Sequence, residues 1–503
     1  MKRFNIFWAF AGICLLSACV KDNGNYSYKT GNSVIIKPGL GSYNAILGDT
    51  VVCTAIRTYS NPDDTTEFDH AWYVEGKLVS TEPTMKYVPK DWGLQYGTYY
   101  MTDRKSGNVY SLQGQSFFIQ VAPATQFGWG LLYEQNGKSE LGHVRVNTTT
   151  NQYFDYKDLY KTFNNGEELG SGPIKIRDYT VSGGRGMYVI QRGGQGCLDI
   201  EAYTLKKKLV TSNAFIGGMP ANYAPVDMGF YPNVADLVAN GDGNLYARFT
   251  NGSLPFTVPF MSTPLSIAKG MKIADIWDSW SSAASTFVIM YDKLNKRLLR
   301  FKTNILTTGG GVTIDTLLAP VAATPYPVNY TSLQNFGDWE YVWGGTFNDA
   351  TSTMDGALIL KNPADNQLYY ETFNYVIGPT EKLTPKKRIL FAANPYVTPQ
   401  SKFVAVKARS YLFFTSGTSN EKLYYYDAVS ETIVKLYTQF SSRINVITAS
   451  DDGNQIAVGL DDGTFVLYDI SNATIVSGAP KELHRFTGLG RVVDIVTHNG
   501  KIN

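Results

Sequence analysis

Arg443-Ile444-Asn445-Val446-Ile447-Thr448 and Arg491-Val492-Val493-Asp494-Ile495-Val496-Thr497 are two versions of one strand-forming run, and their positions decide the fold. The first precedes a hairpin signature, Gln455-Ile456-Ala457-Val458 with Phe465-Val466-Leu467-Tyr468. The second comes last in the chain. Six more pairs precede them, each a short apolar strand, a polar turn and a second strand rich in aromatics. They are Leu131–Tyr133 with His143–Val146, Met187–Ile190 with Leu198–Tyr203, and Asp236–Val238 with Leu245–Phe249. The remaining three are Phe287–Met290 with Leu298–Phe301, Ala357–Leu360 with Leu368–Tyr370, and Tyr411–Phe414 with Leu423–Tyr426. A period of about fifty residues suits four-stranded propeller blades. The first pair lacks an inner strand before it, and the final run can supply one, which would remove an exposed edge. The expectation is an all-β chain whose residues 127–503 form a propeller of seven blades, closed by the C-terminal strand.

Upstream, residues 25–121 read as a small immunoglobulin-like sandwich. Val51-Val52-Cys53-Thr54-Ala55-Ile56 is a β-branched strand, followed by the turn Asn61-Pro62-Asp63-Asp64. Ala71-Trp72-Tyr73-Val74 turns at Glu75-Gly76-Lys77 into Leu78-Val79. Gly97–Met101 and Phe117–Val121 complete the pattern, with Trp72 as the core tryptophan. Residues 122–126, opening Ala122-Pro123-Ala124-Thr125, read as a linker. Cys53 and Cys197 are far apart and give no disulfide framework.

The first residues read as a targeting segment. Lys2 and Arg3 form a positive start, Phe4–Leu16 is apolar but short of the roughly 18 residues a spanning helix needs, and Leu16-Ser17-Ala18-Cys19 resembles the bacterial lipobox. Residues 1–18 are then a signal peptide, Cys19 the lipidated residue and 19–24 a tether. Each buried acyl methylene contributes about 0.8 kcal/mol, so several chains hold the protein at a membrane.

Composition excludes some partners. Charged residues are 17% of the chain and the net charge is +2, of which Lys2 and Arg3 leave with the signal. A nearly neutral chain has no basic face for nucleic acid and no polybasic grip on anionic lipid. No motif announces chemistry. Asn136-Gly137-Lys138-Ser139 lacks the glycine and helix of a phosphate loop. Asn240, Asp242 and Asn244 alternate like calcium-loop oxygens, but the following glycine and closing glutamate are missing. Asp451-Asp452-Gly453 and Asp461-Asp462-Gly463 read as hairpin turns. His70, His143, His484 and His498 lack metal-ligand spacing. Catalytic residues, metal and cofactor are therefore all expected to be none, and the protein is expected not to be an enzyme.

Aromatic segments between the hairpins are the better lead. Trp277 and Trp280, Trp339 and Trp343, and Tyr223 and Tyr231 are candidate ligand-binding residues, since exposed rings give large contact area at small entropy cost to a peptide or glycan. The alternative is that these rings wedge between blades.

The lipobox, the sandwich around Trp72 and the C-terminal propeller together resemble the PKD-like surface lipoproteins of Bacteroidota. That resemblance implies an outer-membrane location facing the cell exterior, with a SusC-like TonB-dependent transporter and a SusD-like lipoprotein as partners. It further implies an accessory binding role in the import of oligopeptides or glycans. Two other function classes remain open on sequence alone: a secreted propeller hydrolase or lyase acting on polysaccharide, and a structural or adhesive surface protein.

Cys19→Ala removes the only thiol in a lipobox context, so the variant should leave the membrane fraction, which fractionation with acyl labelling reads directly. A variant that stays membrane-bound and acylated contradicts the anchoring assignment.

Overall fold

A computed structural model of the chain describes residues 33–499 apart from 63–66, 113–115, 148–149, 182–183, 232–234, 250–257, 278–279, 282–285, 305–310, 349–352, 377–380 and 408. Cys19, the rest of the lipobox and the tether lie outside the described residues, as does part of the turn at Asn61–Asp64. The chain divides into two compact units, Met1–Ala122 and Pro123–Asn503.

The first unit is built of β-sheets. Phe117–Ala122 pairs in parallel with Ser42–Ile46 and antiparallel with Gly93–Asp103, which in turn pairs with Phe68–Val74. Glu75 and Gly76 both take positive φ, closing the tight turn from Phe68–Val74 into Lys77–Ser80. Side chains alternate inward along Gly93–Asp103, as a half-buried strand requires. Trp72 is buried against Tyr99 and Phe117, and its indole N–H donates to the Glu82 carbonyl at 2.9 Å.

One expected strand divides. Val51–Cys53 pairs with Met85–Tyr87, whereas Ala55–Tyr59 pairs with Val34–Pro38. The break at Thr54 has a local cause. Its carbonyl accepts the Gly39 N–H at 2.8 Å, and its own N–H donates to the Tyr43 hydroxyl at 3.3 Å. These contacts turn Thr54 away from both ladders.

The second unit is a succession of antiparallel sheets of the propeller type. Each of the seven strand pairs read from the sequence forms an antiparallel hairpin. Most sheets have four strands, in the order 173–181, 184–191, 198–201 and 207–210 for one of them. The sheet holding Leu245–Phe249 has three among the described residues, and the one holding Thr286–Asp292 gains the short strand Trp280–Ser281.

Both faces of these sheets are buried, which explains the near-continuous apolar runs. Val288 and Met290 face the preceding sheet, packing with Leu237 and Ala239. Ile289 and Tyr291 face the next, packing with Leu358 and Phe373. The same alternation shares a core between each sheet and its successor along the chain. The last sheet shares one with the first, where Phe465 and Leu467 meet Trp129 and Leu131.

The C-terminal strand Arg491–Asn499 pairs antiparallel with Phe127–Gln135, placing a chain end as the inner strand of the first sheet. Val492 and Ile495 bury completely or nearly so there, and Arg491 pairs with Glu134. The segment expected as a linker is not slack. Ala124 and Thr125 are buried in the second unit, with the Thr125 hydroxyl donating to the Tyr203 carbonyl. The His498 ring nitrogen Nδ1 lies 2.5 Å from the Thr125 carbonyl.

Between the second and third sheets sits a fully buried arginine. Arg248 bonds Asp199 at 2.6 Å and also bonds Asp236, while Tyr179 donates to Asp199 at 2.7 Å and Tyr188 to Asp236 at 3.1 Å. The guanidinium lies over the Phe260 ring, 5.1 Å from its centroid. Such a cluster holds two sheets in one register, because shifting either would strand a charge in the core.

Two outcomes follow. Deleting residues 490–503 removes the burial of Val492 and Ile495, worth roughly 3–6 kcal/mol, and exposes two strand edges. Lower thermal stability and protease sensitivity within residues 123–489 are expected, and unchanged melting and solubility would contradict the role of that strand. Arg248→Met leaves Asp199 and Asp236 buried and unpaired, so denaturant unfolding should show a loss of about 3–5 kcal/mol. Adding Asp199→Asn and Asp236→Asn should recover part of it.

Candidate functional site

The segments first read as aromatic inter-hairpin loops are largely inner strands. Pro225–Tyr231, Ile273–Ile276 and Glu340–Asn348 each open a sheet, so the rings they carry fall between sheets. Trp277 is 4% exposed, and its indole N–H donates to the Tyr341 hydroxyl at 3.0 Å. It packs so closely on Gly344 that a Cβ there would overlap the indole. Tyr231 is 3% exposed, against Phe301. These two are core residues and are corrected as such: the wedge between neighbouring sheets needs large side chains, and rings fill it. Trp343 is half-buried against Phe403. Trp339 is half-buried beneath the Arg388 guanidinium, 4.3 Å from its ring centroid. The backbone of Trp280 pairs with Phe287; its side chain lies outside the described residues.

Tyr223 is the predicted residue that lines a concavity. A cleft of about 230 Å³ lies between the turn 191–197 and the segment 219–225, with Gln191, Arg192, Gln195, Cys197, Ser212 and Tyr223 among its walls. The turn Arg192-Gly193-Gly194-Gln195-Gly196 connects the hairpin Gly184–Gln191 and Leu198–Glu201. Gly194 takes φ 68°, and a Cβ there would strike the Gly170 backbone, so the turn packs tightly because it has no side chain at that point. On the other wall, Asn240 accepts the Ala224 N–H at 2.5 Å and donates to the Asn222 carbonyl at 2.8 Å, pinning the approach to Pro225.

Polar groups around the cleft divide into committed and uncommitted ones. The Tyr223 hydroxyl donates to Thr211 Oγ1 at 2.8 Å, and its ring packs edge-on against Phe215. Burial pushes the Cys197 thiol up to about 12, so it is a small apolar wall and no nucleophile at neutral pH. Gln195 donates to Glu167, and Lys207 bonds both Glu167 oxygens at 2.7 and 2.6 Å. Burial alone would raise the Glu167 carboxyl, but hydrogen bonds from Gln195, Lys207 and Tyr160 bring it down to about 2. Gln191 is 2% exposed; its Oε1 accepts the Gly170 N–H at 2.9 Å, while its Nε2 has no hydrogen-bond partner. Arg192 is exposed and makes no ion pair among the described residues.

Two further groupings escaped sequence reasoning because their members are remote in the chain. The inner strands bring together Lys175 and Arg177, both bonded to Asp227 at 2.7 and 3.0 Å. Asp494 there accepts the Ile176 N–H at 2.9 Å, and Asp275 accepts the Tyr341 hydroxyl at 2.5 Å. Burial opposes ionisation of Asp227, yet Arg177 and Lys175 hold it at about 2; burial raises Asp275 and Asp494. All three acids are already engaged, and the grouping ties one inner strand to the next. The second grouping is a pair of buried histidines. His143 and His498 have ring centroids 5.4 Å apart, and His498 Nε2 is 3.1 Å from Asp178. Burial, then the nearby His498, push His143 down to about 3. Among the described residues no group of three His, Cys, Asp or Glu is placed to hold a metal. The calcium-like oxygens are spent locally, since Asp242 accepts from Asn240 and Asn244, and Lys272 donates to Asn244.

The sequence model of the PKD-like family matches residues 19–173, a span that takes in the described part of the first unit and the opening strands of the second. No curated protein matches the chain. Among solved structures, a quinonprotein alcohol dehydrogenase-like protein from Bacteroides thetaiotaomicron aligns over 91% of this chain and 96% of its own, at 16% identity and a TM-score of 0.40. AztD from Citrobacter koseri aligns over 81% of this chain and 96% of its own, at 12% identity and a TM-score of 0.37. The resemblance drawn from the sequence thus has its family match in the N-terminal third of the chain.

Proposed function

We propose that the sheets of the second unit close into a seven-bladed propeller. On this reading the protein is an outer-membrane lipoprotein, anchored through Cys19 and facing the cell exterior, that binds its ligand without transforming it. It serves as an accessory subunit beside a SusC-like transporter and a SusD-like lipoprotein, and its ligand is an oligopeptide or a glycan. The observation that carries the binding role is the cleft at Tyr223, where a ring, an unpartnered buried amide and an uncommitted arginine line one concavity. Few convergent polar groups on a partly apolar wall are what a small-ligand site requires.

The seven-bladed ring is supported by the shared cores between successive sheets and by the Arg491–Asn499 strand on the first sheet. A lipid tether supplies the rest of the mechanism. Anchoring confines the cleft to the layer of space above the membrane, where a transporter also meets the ligand. A weak site then gains through effective concentration without any new contact. The PKD-like match begins at residue 19, so the family region includes the cysteine expected to carry the lipid.

The pure full-length protein, incubated with peptide and glycan mixtures, should retain some components saturably and return all of them chemically unchanged. Turnover of any component, abolished by replacing one carboxylate, would overturn the binding reading in favour of a hydrolase or lyase.

A further inference from the structure

The uncommitted side chains of the cleft can all donate, and one of them is a cation. The Gln191 amide is oriented by accepting the Gly170 N–H, and its Nε2 is buried in the cleft wall without a hydrogen-bond partner. Arg192 follows directly in the chain and brings a guanidinium with no ion pair among the described residues. Ser212 adds a hydroxyl.

Negative charge near the cleft is already spoken for. None of the lining residues is acidic. Glu167, which Gln195 contacts, is held by Lys207 and Tyr160, and Asp199 behind Cys197 is held by Arg248 and Tyr179. An ammonium group entering here would meet an arginine and no free carboxylate. A carboxylate would meet the Arg192 guanidinium, with the Ser212 hydroxyl in the same wall, and a guanidinium–carboxylate pair gives short, charge-assisted hydrogen bonds.

The opposite wall sets the rest of the ligand. Met219, Tyr223, Ala224 and Pro225 present apolar surface, and Met219 is half exposed. A volume of about 230 Å³ admits one residue-sized group and not a chain. From this geometry we infer that the cleft takes the carboxylate of a terminal ligand unit, with its aliphatic or ring portion lying on Tyr223 and Pro225. Peptide C-termini and uronic acid sugars share that chemistry. The assignment rests on the binding role proposed above and names the ligand class for it.

Two matched pairs of probes decide the matter by calorimetry on the full-length protein: N-acetyl-alanyl-alanine against its C-terminal amide, and galacturonate against galactose. In at least one pair the acid should bind about tenfold more tightly than its neutral partner, and the pair that discriminates tells peptide from acidic glycan. Arg192→Ala, at an exposed position, should abolish that preference with the melting temperature unchanged. Gln191→Glu keeps the acceptor for Gly170 and brings a carboxyl to the same wall as Arg192, so it should weaken the acid in the same way. Equal binding of acid and neutral partners, or a preference that survives Arg192→Ala, overturns the carboxylate assignment. Either result leaves the binding role to stand or fall on whether the protein turns its ligand over.

Discussion

The antiparallel ladder between Arg491–Asn499 and Phe127–Gln135 is the contact on which the second unit depends. It joins the two ends of a stretch of more than 350 residues. A loop of that length is costly in entropy to close, although the cost grows only slowly with length. Once formed, the ladder gives the first sheet its inner strand and brings the last sheet against the first, where Trp129 meets Phe465. It also positions His498 beside Thr125, so the entry of the chain into the second unit is fastened by its exit. The cleft draws on the same order: its walls come from two successive sheets, held in register by Arg248.

Neighbouring sheets leave a wedge between them, and this chain fills it with rings. Trp277, Tyr341, Tyr291 and Phe373 stack through one such space, and Tyr179, Tyr188 and Phe230 through another. Tyrosine and tryptophan suit it because each carries an apolar body with one polar atom that must find a partner when buried. Several of those atoms are used. The Tyr341 hydroxyl links Trp277 to Asp275, and Tyr188 reaches Asp236. Aromatic abundance is therefore mainly a property of the fold.

Much of this was legible in the sequence, and the exceptions have physical causes. Hairpins such as Gln455–Leu460 with Phe465–Asp469 announce themselves because a turn and two apolar runs lie within one short window. Inner strands have no hairpin partner preceding them, so Pro225–Tyr231 and Glu340–Asn348 read as aromatic loops and their rings as ligand contacts. Asp227 and Gly229 within the first of these break its apolar run, which hides its period. The division at Thr54 depends on a hydroxyl from Tyr43 that no local window contains. The cleft was reachable only through Tyr223. Gln191 carries no signal by itself, since an unpartnered amide is a statement about its surroundings.

The proposed binding beside a transporter is tested most directly by purifying the full-length protein from cell membranes under mild detergent. A complex containing a SusC-like transporter and a SusD-like lipoprotein in fixed stoichiometry is the predicted result. Recovery of the protein by itself, from membranes in which those two proteins remain associated with each other, would contradict it.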